Sequence, residues 1–225
     1  MSEAWCRTEC QPDEEHPCFQ HITISAYADA GEAEAHLGGG ALRSFVEERD
    51  GLRLGRMVIL RYSSPSFTLD GMDADDLDLV SGVDDEGREI INAMIRAEAV
   101  TGARRSCGLV MGKSIHVVPS ARGQGVMRRL LQEARRLHAG LPYHYAHRAI
   151  PQEAGMARGD GSDRMARLRD AYMRAGVGLT TPDSENWPEI MTAYWGGECD
   201  PSEDTIIDWT KVRGRMKDMA MDIAA

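Results

Sequence analysis

Along the chain, apolar and polar residues alternate in short runs separated by glycine and proline, and helix-spaced runs lie between them. Residues 21–30 (HITISAYADA) are β-branched and alternating, which predicts a strand. After Gly31 a second short extended stretch is expected as far as Leu37, before the break at Gly38, Gly39 and Gly40. Residues 53–63 (RLGRMVILRYS) predict another strand, stopped at Ser63-Ser64-Pro65. Asp84 and Asp85 can cap a helix over 86–99, whose apolar face would be Ile90, Ile91, Met94 and Ile95. Residues 107–118 (CGLVMGKSIHVV) read as two short strands or one bent strand, with Gly112 as hinge and Pro119 as stop. From Gly123 to Ala139 the period becomes helical, with Val126, Leu130, Ala134 and Leu137 on one face, and Gly140 is the expected C-cap. A strand over 141–150, a glycine-rich loop over 155–161 and a helix over 162–175 follow. Ser162 and Gly176 are the expected caps of that helix. Residues 187–195 read as a last strand, and 202–221 as an amphipathic helix with Ile206, Trp209, Met216 and Met219 as its apolar residues. Strands alternating with helices give an α/β or α+β class with a mixed sheet.

The length of 225 residues, 42% of them hydrophobic, suffices for one core with appendages. We divide the chain into an N-terminal arm (1–21), a central domain (22–199) and a helical tail (200–225). No window of 18 apolar residues occurs, so no membrane-spanning helix and no membrane partner are expected. The acidic N-terminus lacks the apolar segment of a secretory signal, so the expected location is cytoplasmic. A formal charge of −10 disfavours a nucleic-acid partner. Eight of those ten net negative charges fall within residues 69–89, so a locally basic groove for a phosphorylated ligand stays open elsewhere. That acidic run either draws a cationic substrate or is a solvated face.

Cys6, Cys10, His16, Cys18 and His21 lie close together in the arm. Thiolates and imidazoles suit a tetrahedral zinc, which would also admit a metal-dependent modifier of nucleic acid. The spacing lacks paired C-x2-C knuckles, and a polar arm with reduced thiols accounts for it equally, so no metal site is assigned.

The most informative stretch runs from Ile115 to Leu131 (IHVVPSARGQGVMRRLL). A short apolar strand stops at a proline, passes a glycine-bearing loop and opens into an amphipathic helix. The first turn of such a helix has amides without intrahelical acceptors and a partial positive charge, which together can hold an anion. There is no Gly-Lys-Ser/Thr ending and no G-x-G-x-x-G, so it is neither a P-loop nor a Rossmann fingerprint.

Val117-Val118-Pro119-Ser120-Ala121-Arg122-Gly123-Gln124-Gly125 resembles motif A of the GNAT N-acyltransferase superfamily. Arg169 to Val177, with Tyr172 and Gly176, is similar to the family's motif B about fifty residues downstream. The chain departs from the pattern at Met127, where the loop usually has Gly or Ala, and at Ala171 and Val177 around motif B. The resemblance implies a single GNAT-like domain with a mixed, mostly antiparallel sheet flanked by helices. It implies acetyl-CoA as acyl donor and direct acetyl transfer to an amine of an unassigned acceptor. The cofactor-binding residues would be Val117, Val118, Arg122, Gly123, Gln124, Gly125, Val126 and Met127, with the amides of 123–127 on the diphosphate. Tyr172 would protonate the departing thiolate, a phenol near pKa 10 being matched to a thiol. His116 is the candidate base, and His144 and His147 are further imidazoles in reach of the same chemistry. The alternative is a GNAT-fold protein without turnover that acts by binding, able to pair as a homodimer through its C-terminal helix.

Overall fold

The computed structural model describes residues 2–14, 19–38, 45–48, 51–63, 108–149, 161–181, 190–196 and 205–224. They form a mixed α/β molecule. In chain order its elements are β1 (Ser2–Pro12), β2 (Phe19–Ala28), α1 (Ala30–Leu37), β3 (Val46–Glu48), β4 (Gly51–Ser63) and β5 (Gly108–Val117). There follow a 3-10 turn (Pro119–Ala121), α2 (Val126–Arg136), β6 (Tyr143–Arg148), α3 (Gly161–Met173), β7 (Ile190–Trp195), β8 (Thr205–Ile207) and α4 (Trp209–Ala224). The helix expected over 86–99, the acidic run and most of the loop at 155–161 lie outside the described residues. Among those described, no helix is long and apolar enough to cross a membrane.

Strand order is β7-β6-β5-β4-β2-β1-β8, with β3 paired to β4. All pairs are antiparallel except β5 with β6, which run parallel because α2 carries the chain back across the sheet. Strand alternation sorts the side chains onto two faces. On one face Ile22, Ile24, Met57, Ile59, Val110 and Tyr145 are buried, and both α2 and α3 pack there. Val126 and Leu130 close over Gly55 from α2, while Tyr172 of α3 lies on His147 of β6. Each buried leucine of α2 contributes about 2 kcal/mol of apolar burial, which holds that helix on the sheet. The opposite face carries the exposed His21, Arg56, Ser114 and His116.

Three expectations about the elements need correction, and the open alternative for 107–118 is resolved. Residues 31–37 are helical: Asp29 caps α1 by accepting from the Glu32 amide at 2.7 Å, and Gly38 ends it with a positive φ. Most of the polar arm is strand β1, paired with β2 along eight residues and with β8 at Ser2–Ala4. In the tail, expected to be one helix over 202–221, residues 202–204 lie outside the described residues, Thr205–Ile207 pair with β1, and α4 begins only at Trp209. Asp208 caps it, accepting from the Thr210 and Lys211 amides. Finally, 108–117 is one strand whose register slips opposite Val58 and Ile59, leaving Lys113 as the extra residue just after Gly112.

Candidate functional site

The parallel ladder between β5 and β6 ends at Gly112 and His147. Beyond the bulge at Lys113, among the described residues, β5 continues with β4 alone as far as Val117. The Val118 amide donates to the Leu54 carbonyl at 2.9 Å, so Val117, one residue earlier, presents its own N–H and C=O to the side away from β4. Val117 leads directly into the turn at Pro119 and the glycine loop. The Val117 carbonyl accepts from Arg122 Nε at 3.3 Å, which folds the arginine back along the edge.

In the loop Gly123 and Gly125 have φ of 71° and 83°, a region in which other residues are strained. Gly125 is the N-cap of α2 in the left-handed conformation and has no side chain to satisfy the first amides. The Gly125 carbonyl accepts from the Arg129 amide, starting the helical ladder. No acceptor among the described residues takes the amides of Gly123, Gln124, Gly125, Val126 or Met127. Val126 is buried in the core, and the Met127 side chain packs against the same core, so neither stands in front of those amides. Among the described residues the Val117 N–H and the amides of 123–127 thus have no acceptor, whereas the Val118 and Arg122 amides are taken by the Leu54 and Pro119 carbonyls.

Tyr172 is 6% exposed on α3, and its ring centre lies 4.3 Å from that of His147. Tyr145 completes the group: its ring stacks on Trp195, and its hydroxyl lies 2.6 Å from where a Cβ on Gly112 would stand. Tyr145 Oη and both nitrogens of His147 are buried with no hydrogen-bond partner among the described residues. Burial holds the His147 imidazole down at about 3, and pushes the phenols of Tyr145 and Tyr172 above their usual range. His147 is thus neutral at any ordinary pH, and both phenols keep their protons. Three polar rings accordingly sit beside the end of the parallel ladder, poised to give or accept hydrogen bonds.

Not all the expected site residues converge. His116 is exposed on the opposite face of β5 from Tyr172. His144 also points to that face, its ring tilted against that of Tyr194, and burial lowers it to about 4. Cys6 and Cys10 share one face of β1 but stand four strand residues apart, about 13 Å along an extended chain. One tetrahedral zinc with bonds of about 2.3 Å cannot span them. Cys6 instead packs against the core beneath α2, where burial, with Glu133 nearby, pushes its thiol up to about 11. His21 pairs with Asp13 at 3.1 Å, and His16 and Cys18 lie outside the described residues.

Three participants escaped the sequence reading. Tyr145 was legible in principle, since YHYAHR alternates and places residues 143, 145 and 147 on one face. Thr205 and Arg215, which reach the glycine loop from the C-terminal segment, carry no local signal.

No family model, no curated protein and no solved structure matches this chain.

Proposed function

We propose that the chain is an N-acetyltransferase of GNAT type that moves an acetyl group from acetyl-CoA directly to an amine. The observation that carries this reading is the row of five amides, 123–127, at the head of α2 with no acceptor among the described residues, close after Val117, whose N–H faces away from β4. An acyl-CoA offers a diphosphate to such amides and an amide-bearing arm to such an edge. The residues present fit those groups. The glycines leave the main chain bare, Met127 is turned into the core, and the Val117 amide points towards the gap beyond β5.

When bound, the acyl donor supplies a thioester carbonyl open to attack by an amine. The Val117 N–H is the chain's candidate for polarising that carbonyl. Tyr172 keeps its proton and gives it to the leaving thiolate. Burial raises the phenol above a solvent-exposed thiol, but a thiolate in the same low-dielectric surroundings gains proton affinity for the same reason. His116 lies on the opposite face of β5 from Tyr172, so in this reading the proton released by the amine passes to solvent.

A second reading, acyl-CoA binding without turnover, draws on Arg122. Its Nε occupies the Val117 carbonyl that an extended arm would use, and must swing away for strand-like pairing. The two readings separate in one experiment. Calorimetry with acetyl-CoA measures binding, and thiol release with a panel of amines measures turnover. Binding with amine-dependent thiol release supports the transferase, and binding without release supports the second reading. Gly125→Val should abolish binding in either case, whereas retained affinity would mean that the loop is a connector only.

A further inference from the structure

The glycine loop does not stand alone. The C-terminal segment lies across it, brought there because β8 pairs with β1 and hands the chain to α4 at Asp208. The Asp208 amide donates to Gln124 Oε1 at 3.3 Å. Thr205 lies over Gly125, its Cγ2 and Oγ1 at 3.3 and 3.7 Å from the position a Cβ would take. The guanidinium of Arg215 lies over Gly123, with Nη2 at 2.8 Å and Nη1 at 3.5 Å from the corresponding point.

What these side chains lack is a partner. Thr205 is 2% exposed, and its hydroxyl has no hydrogen-bond partner among the described residues. Arg215 Nη1 and Gln124 Nε2 are buried and equally unmatched. Asp208, whose amide reaches Gln124, has its carboxylate engaged by Lys211 at 3.4 Å and by the first amides of α4. Desolvated donors left unmatched are costly, and here they converge with five open amides. A guanidinium, a hydroxyl, a carboxamide and a row of amides form a set rich in donors, which fits an anion with several acceptor oxygens.

We propose that Thr205 and Arg215 complete the diphosphate site from the C-terminal side, so that the acyl-CoA diphosphate is gripped between the motif loop and α4. This rests on the acyl-CoA reading above and adds to it two binding residues 80 and 90 positions downstream of Gly125. Arg215 supplies charge and a forked pair of donors. The Thr205 hydroxyl supplies a single donor beside the N-cap of α2.

The test is calorimetry on the full chain with two probes, CoA and inorganic pyrophosphate, comparing wild type with Arg215→Gln, Arg215→Lys and Thr205→Val. Arg215→Gln should weaken both probes about ten-fold or more, as loss of a charged hydrogen-bond donor does. Arg215→Lys should recover part of that loss, and Thr205→Val should weaken both several-fold. Pantetheine, which lacks the diphosphate, should not distinguish Arg215→Gln from wild type, an outcome a merely structural arginine would not produce. Wild-type affinity for CoA in Arg215→Gln would overturn the inference and leave the acyl-CoA reading intact. Binding of pyrophosphate without CoA would keep the two-sided anion site and remove the acyl-CoA reading. Failure of the wild type to bind either probe would remove both.

Discussion

Tyr172 tests the chemistry at the scale of single residues. It touches His147, lies near Tyr145 and belongs to the one buried polar group beside the β5–β6 junction described here. If it is the acid for the leaving thiolate, Tyr172→Phe should lower turnover about 100-fold or more and leave acetyl-CoA affinity nearly unchanged. Steady-state rates beside a calorimetric titration check this, and equal turnover in the variant removes the role. His116, on the other face of β5, should tolerate His116→Gln with turnover within about two-fold of wild type, solvent taking the amine proton. A loss of about 100-fold would instead make the imidazole the base. Gly112 bears on stability instead. A methyl group there meets Tyr145 Oη at 2.6 Å and His147 Cβ at 2.8 Å, contacts that force both rings to move. Gly112→Ala should therefore destabilise the protein by about 1–3 kcal/mol, read as a lower urea midpoint with an unchanged slope.

Single elements stand on caps and partners as much as on periodicity. The side chain of Asp29 holds the first turn of α1, so Asp29→Ala should cost about 1 kcal/mol in denaturant unfolding, and Asp29→Ser should restore most of it. The same helix shows where local pattern misleads. Its Ala/Glu alternation over residues 32–35 mimics a strand period, and only the Asp29 and Gly38 caps reveal the helix. Longer elements were easier to read. Strands β2 and β4 are β-branched or alternating over ten or more residues, and α2 repeats apolar positions for three turns, so their sequence patterns are unambiguous. By contrast β8 has three residues, and its strand character comes from pairing with Ser2–Ala4, a partner no local window contains. The site divides the same way. Glycines 123 and 125 advertise a bare, left-handed loop because few other residues adopt that backbone. Arg215, one of 23 arginines, becomes distinctive only when the fold lays it over Gly123.

On the scale of the molecule, three imidazoles among the described residues are locked inside without charge. Burial lowers His138 and His144 to about 4 and His147 to about 3, against 6.5 in the open chain. Between those values the unfolded chain binds more protons than the folded one. Stability is therefore complete above pH 6.5 and falls as the solution is acidified towards 3. The melting temperature should drop between pH 7.5 and 5, and His147→Phe, which keeps the ring volume, should shrink that drop. A melting temperature flat across this interval would mean that the imidazoles are hydrated.

The meeting of β1 and β8 has a temporal side. Ser2–Ala4 leave the ribosome some two hundred residues ahead of their neighbours Thr205–Ile207. Until then β1 keeps a bare outer edge, the kind of surface that recruits stray strands. Contacts so distant in sequence also form slowly, since a long loop must close before they give any return. Nascent chains arrested before residue 205 should thus be prone to cluster and unable to retain CoA, with both properties reversing once synthesis passes α4.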